Sequence, residues 1–465
     1  MKKILLLMTF VLISTMFYGC SSNTPTSRGV SEPPAVSYKK SDSVDVAVYL
    51  DGTFSMGGYV NYPSTTTYVD ALKGIERTVT SNWKQEKIQY VKFGDSLQNL
   101  SREQFLQANN VDFYQEKDTS LQTVVDAMDT NKLNILVTDL FQTNQDIDSL
   151  IISLKKACFA DSSHAMALIG VKSQFNGKIY DVGKNSLSFT YASKDDVETY
   201  RPFYLLVLGK EADVRAFTES YAKNFDDEKI IKTALFSKNI GTDVTLTAGK
   251  AIKKDKAEKF ANMAQISTLL GSNSDILQYR LKLDEKQSGL YATLQAKNVI
   301  GNCPDDFKNC YFSVEKWQQD TAGKQEARFM DKLMGKSKKN TNNGKFEEIN
   351  AKGFVDSKGS GTGLHGTDAN VNLLIKFDPS AIKKVEGKYR VNLALVPEKN
   401  VYLESNEIFK DWNFGDDAAV NADSLANCGG KTLNINSFVK MVASLNYEMN
   451  KPGFYNVYVY LEAIK

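Results

Sequence analysis

Histidine is nearly absent. The 465-residue chain has two, His164 and His365. That scarcity excludes a histidine-rich zinc site and leaves little room for a Ser-His-Asp or Cys-His catalytic engine. An excess of charge of one sign is missing as well: 57 Lys and Arg face 55 Asp and Glu, for a net charge of +2. Such a balance lacks the basic surplus of a nucleic-acid binder and gives no long-range steering of a polyanion. No apolar run reaches the roughly 20 residues that a bilayer-spanning helix needs, and no internal repeat is visible. The chain does have 42% apolar residues, ample for the cores of two or three domains.

The N-terminus bears on the compartment. Lys2 and Lys3 precede a stretch of 15 residues from Ile4 to Tyr18, apolar but for Thr9, Ser14 and Thr15, and Gly19-Cys20-Ser21-Ser22 follows. The stretch is too short to span a bilayer and reads as the h-region of a signal peptide. Phe17-Tyr18-Gly19-Cys20 resembles the lipobox of bacterial lipoproteins, with Phe17 where that family usually has Leu. The resemblance implies that residues 1–19 are removed, that the Cys20 thiol is acylated, and that the protein is anchored by lipid in the bacterial cell envelope. Ser21 is compatible, by the same analogy, with sorting to a Gram-negative outer membrane. Removing residues 1–19 leaves 55 charges of each sign. Residues 20–43 are rich in Ser, Thr and Pro and read as a flexible tether.

With Cys20 assigned to lipid, Cys158, Cys303, Cys310 and Cys428 remain. An exported compartment permits disulfides. Cys303 and Cys310 flank a short polar loop and are expected to bridge. Cys158 lies on the apolar face of a helix, where a buried free thiol is the commoner outcome. Its pairing and that of Cys428 stay open.

From 44 to 225 apolar runs alternate with helical periodicity. Val44, Val46, Val48 and Leu50 lead to Asp51; Tyr68, Leu72, Ile75 and Val79 recur at helical spacing. Further strands are expected at 88–93, 133–137, 165–171 and 204–208, further helices near Val124, Leu150 and Phe217, and an inserted hairpin within 174–193. Continuous apolar strands alternating with helices predict a doubly wound, mostly parallel α/β sheet covered on both faces.

Ligands of such sheets bind at the carboxyl ends of the strands. Two ends carry hydroxyls and carboxylates together, Asp51-Gly52-Thr53-Phe54-Ser55 and Thr138-Asp139, and a polar loop, Asp118-Thr119-Ser120, lies between them in sequence. Hard oxygens from three loops suit Mg²⁺. These residues resemble the metal-ion-dependent adhesion site of a von Willebrand factor A domain, built from D-x-S-x-S, a threonine loop and an aspartate loop. Thr53 replaces the usual Ser and keeps the hydroxyl. The resemblance covers under half the chain. It implies Mg²⁺ or Mn²⁺ held by Asp51, Thr53, Ser55, Thr119 and Asp139, and a partner protein whose acidic side chain completes the coordination. Asp-Gly-Thr after a strand also resembles haloacid-dehalogenase phosphatases, but Tyr49 stands where their nucleophilic carboxylate would be. A third reading is a structural envelope lipoprotein whose Asp51 and Asp139 only cap turns. No base, nucleophile or cofactor loop is visible that would make the chain an enzyme.

The remainder divides into a helical connector, 226–275, with a segment around Phe260, Met263 and Ile266, and a β-rich, sandwich-like domain, 276–465. In the latter, period-two runs recur at 279–283, 290–296, 371–377, 389–395 and 455–461. The Gly359–Gly363 stretch reads as a flexible loop in a polar tract. A helix with Phe438, Met441, Val442, Leu445 and Met449 on one stripe is expected to pack into the core.

Overall fold

The computed structural model describes residues 39–118, 120–140, 147–182, 187–227, 229–248, 264–265, 276–282, 288–297, 310–319, 344–349, 355–360, 368–377, 387–415 and 428–464. Cys20, Thr119, Cys303 and the segment around Phe260, Met263 and Ile266 lie outside them. Cys310 opens a strand.

A seven-stranded sheet organises the first half. β1 (Ser43–Asp51) runs parallel to β2 (Gln85–Phe93) on one side and to β4 (Leu133–Thr138) on the other. β3 (Leu97–Leu100) turns back antiparallel at the edge beside β2. Beyond β4 the chain departs from simple alternation. β5 (His164–Ser173) leads into the hairpin β6 (Asn176–Val182) and β7 (Leu187–Ala192), and then β8 (Arg201–Lys210) inserts antiparallel between β4 and β5. A helix crossover would have brought the chain back parallel; a hairpin returns it at the end where it left. β9 (Ile231–Phe236) closes the order β3-β2-β1-β4-β8-β5-β9, antiparallel to β5. The sheet is therefore mixed, around the parallel core β2-β1-β4.

Both faces are covered, which is why β1 reads as an unbroken apolar run. Val46, Val48 and Leu50 join one core with Leu72, Ile75 and Val79 of α1 (Thr67–Asn82) and with Val214, Phe217 and Tyr221 of the later helix Glu211–Ala222. The short α2 (Arg102–Leu106) is closed by a reciprocal Ser101–Gln104 capping box. Ala47 and Tyr49 point the other way, into a core shared with α3 (Leu121–Ala127), α4 (Ile147–Leu154) and the π-helical turn Lys155–Phe159. Cys158 is buried in that turn as a free thiol, and Cys428 is buried as well. The helix Glu211–Ala222 is α5.

The boundary expected at residue 225 is displaced. β9 belongs to the first sheet, and strands 231–236 and 242–248 occupy part of the expected helical connector. More consequentially, α6 (Lys399–Ser405) and α7 (Ile435–Asn450) pack on the second face of the first sheet. Phe409, Trp412, Phe438, Val439 and Val442 share one buried cluster with Leu168, Tyr204, Leu206 and Phe236. Of the expected stripe of α7, Phe438 and Val442 bury and Leu445 packs beside them, against the α/β sheet, whereas Met449 is exposed. Asn446 fixes the attachment: its Nδ2 donates to Ser237 O (3.0 Å) and Tyr402 OH (2.9 Å).

Apart from the short parallel pair 413–414 and 432–433, the remaining strands form two sheets. One orders 242–248, 288–297, 368–377 and 355–360; the other orders 264–265, 276–282, 454–464, 387–397, 310–319 and 344–349. All neighbours are antiparallel except 276–282 with 454–464. Strands 344–349 and 355–360 cross the polar tract, and Gly359 and Ser360, expected to be loop, end the second of them. Among the described residues no helix is long and apolar enough to cross a membrane.

Residues 399–450 thus complete the first core. Phe409→Ala, at a fully buried ring, is expected to cost about 3–5 kcal/mol in denaturant unfolding. A chain ended after residue 248 is expected to expose the Tyr204–Phe236 face and to lose cooperative unfolding. An unchanged midpoint in both would show that the segment is an independent module.

Candidate metal centre

β1 and β4 end side by side. Their register pairs Leu50 with Val137, so Asp51 and Thr138 come next at the carboxyl edge. Thr138 Oγ1 donates to Asp51 Oδ2 at 2.8 Å. Asp51 Oδ1 accepts from Thr53 N at 3.0 Å and from Thr53 Oγ1 at 2.7 Å. Thr53 Oγ1 in turn lies 3.1 Å from Ser55 Oγ, in the 3-10 turn Phe54–Tyr59. Asp51, Thr53, Ser55, Thr138 and Asp139 are all buried. Of the five residues that the sequence nominates, Asp51, Thr53 and Ser55 form one connected set. Asp139 follows Thr138 directly, and its charge is felt at Asp51. Ser120, the neighbour of Thr119, uses its hydroxyl as the N-cap of α3, accepting from Thr123 N at 3.3 Å.

The backbone turns sharply after Asp139. Leu140 has φ +59°, a left-handed conformation that costs a non-glycine residue about 1–2 kcal/mol. Its amide donates to Thr138 Oγ1 at 3.1 Å, so the same hydroxyl serves Asp51 and holds the turn. Beside the loop of Asp51 lies a buried aromatic group. Tyr59 stacks on Tyr68 with centroids 5.3 Å apart, and Tyr68 OH lies 3.1 Å from Tyr114 OH. Burial raises the Tyr68 phenol, and the charges of Tyr114 and Asp51 raise it further. Thr66 ties this loop to α1, accepting from Val69 N while donating to Tyr59 O at 2.7 Å. The β6–β7 hairpin buttresses the turn from outside: a side chain at Gly177 would begin 2.8 Å from Gly58 Cα.

Burial pushes the Asp51 carboxyl up to about 7, and the charge of Asp139 adds to the rise. The bonds from Thr53 and Thr138 oppose it. Two buried carboxylates and a set of hydroxyls, without imidazole or thiol, are a hard oxygen donor set. Among the described residues no cluster of three or more His, Cys, Asp or Glu occurs, so hydroxyls and waters would complete a cation's shell, which Mg²⁺ accepts. The residues present fit such an ion.

Two participants escape the motif. Thr138 is assigned no role by its sequence, because only the β1–β4 register sets it against Asp51. Arg201 is buried at the start of β8, and its Nη1 donates to Gly429 O and Lys431 O, each at 3.1 Å. The clue to it was a charged residue opening an apolar strand. No family model, curated protein or solved structure matches the chain.

A pH dependence follows from the buried acid. Between the ordinary carboxyl value near 4 and about 7, the folded protein holds a proton that the unfolded chain releases. Stability therefore falls as pH rises through that window, by at most about 1.4 kcal/mol per pH unit, and stays low above it. In chelator-treated protein, Asp51→Asn is expected to melt above wild type at pH 8, and that advantage should vanish near pH 4. Parallel melting curves across the window would contradict this assignment.

Proposed function

We propose that the α/β unit is a von Willebrand factor A-like recognition domain of a lipid-anchored envelope protein. It holds Mg²⁺ or Mn²⁺ through Asp51, Thr53, Ser55, Thr119 and Asp139, and it binds a partner protein presenting an acidic side chain. One observation carries the reading: Asp51 is buried at the sheet's carboxyl edge within reach of the charge of Asp139, among hydroxyls bonded to one another. Like-charged buried carboxylates are unfavourable by themselves, and a cation would remove that cost. When bound, the cation offers an open coordination position. Asp51 and Asp139 supply its counter-charge, and Thr53 and Ser55 present hydroxyl oxygens. Tyr49, where a haloacid-dehalogenase nucleophile would stand, packs in the core with Leu121 and Val124, and a phenol cannot take over the role of that carboxylate. The proposed activity is recognition, not turnover.

The test is calorimetric titration of Mg²⁺ and Mn²⁺ into residues 21–465, beside Asp51→Ala. We expect one site, lost in the variant. Absence of binding to wild type would favour a metal-independent envelope scaffold. Anchoring is tested separately: label from a palmitate analogue is expected on the full chain and absent from Cys20→Ala. An unlabelled wild type would sink the lipid anchor.

A further inference from the structure

The segment just before Thr119 is fastened to the Asp51 loop in a way the adhesion-site motif does not mention. Glu116 N donates to Gly52 O and Phe54 N donates to Glu116 O, both at 3.0 Å, a one-residue parallel bridge to Thr53. The Glu116 carboxylate then pairs with Lys92 Nζ of β2 at 3.0 Å; the two side chains are 24% and 12% exposed. Two glycines make room for this pair. A Cβ at Gly52 would lie 2.2 Å from Lys92 Cε, and one at Gly94 would lie 2.2 Å from Glu116 Cβ. The Lys92 ammonium also sits 5.0 Å from the Phe113 ring. At the far end of the segment, Asp95 Oδ1 accepts from Lys117 N (3.1 Å) and Asp118 N (2.9 Å). Residues 116–118 are thus held along their whole length against the turns that follow β1 and β2.

We propose that Glu116, gripped by Lys92, is a positioning residue of the cation site, fixing the third loop against the first before an ion arrives and so setting how tightly the ion is held. The inference rests on the cation-binding reading above. A partly exposed ion pair contributes little to global stability, and this one reaches the site through atoms adjacent to Thr53. Partners that orient first-line ligands typically change metal affinity by about 10–100-fold when removed.

Mn²⁺ would be titrated calorimetrically into wild type, Lys92→Met, Glu116→Gln and the exchanged pair Lys92→Glu/Glu116→Lys, with amide hydrogen exchange followed at Phe54 and Glu116 in chelator-treated protein. We expect each single variant to bind Mn²⁺ about 10–100-fold more weakly, with faster exchange at those two amides and a nearly unchanged melting temperature. The exchanged pair should recover both properties. Equal affinity in wild type and single variants would overturn the positioning role while leaving the cation site intact. Weaker binding without faster exchange, or without recovery in the exchanged pair, would overturn it too. A wild type that binds no Mn²⁺ would overturn the site itself, and the inference with it.

Discussion

A carboxylate with no accessible surface, Asp51, stands where the two central parallel strands end, and its burial constrains everything around it. Among the described residues its hydrogen bonds come from neutral donors: the Thr53 amide and hydroxyl on one oxygen and the Thr138 hydroxyl on the other. Such bonds satisfy lone pairs without cancelling charge. Thr138 must reach Asp51, so β1 and β4 must be neighbours in this register. Its second bond bends the chain at Leu140 into a left-handed turn. Asp139, just before that turn, adds a further negative charge. The contacts that order Asp51 thus come from neutral groups, and on the cation-binding reading a divalent ion would supply the charge they do not.

The scaffold beneath that edge is assembled from both ends of the chain. The second sheet face is closed by α6, α7 and the Phe409–Trp412 stretch, some 200 residues beyond β8. Lys172 and Lys232 approach the Trp412 ring from β5 and β9, at 5.5 and 5.2 Å. Closing a loop that long costs entropy that grows only logarithmically with length, so a large apolar interface can sustain it. Folding of the α/β unit is nonetheless tied to delivery of its last helix. Most of the β-rich strands, 242–397, precede that helix in the chain, while 454–464 follows it and pairs between 276–282 and 387–397.

Much of this was legible in the sequence, and what was not has a physical reason. β1, β4, α1, α3, α5 and the β6–β7 hairpin follow from periodicity, since apolar spacing reports which faces are buried. Spacing is silent on direction, however. The run 204–208 reads as a strand either way, and only the hairpin before it decides that β8 runs antiparallel. Likewise the stripe of Phe438, Val442 and Leu445 says that α7 packs, but not against which sheet. Strands 344–349 and 355–360 hide in a polar, glycine-bearing tract, because their order comes from neighbours and not from their own alternation. At the site, Asp51, Thr53 and Ser55 are adjacent in sequence and could be read together, whereas Thr138 and Glu116 take their roles from tertiary register alone.

The reversed strand has a consequence for the chemistry of the edge. A wholly parallel sheet presents only strand ends where Asp51 lies. Because β8 runs back, its first residues stand there, with Tyr204 opposite Thr138. Arg201 therefore arrives at the same edge, and its charge is felt at Tyr59 and Tyr204 together with that of Asp139. Its guanidinium is nevertheless directed to the carbonyls of Gly429 and Lys431, while Tyr204 OH donates to Thr432 Oγ1 at 2.9 Å. A guanidinium bonded in this way is anchored by backbone dipoles. The reversed strand thus docks the C-terminal segment beside Asp51 and Asp139, and the fold gains its closing clamp at the edge where the candidate site lies.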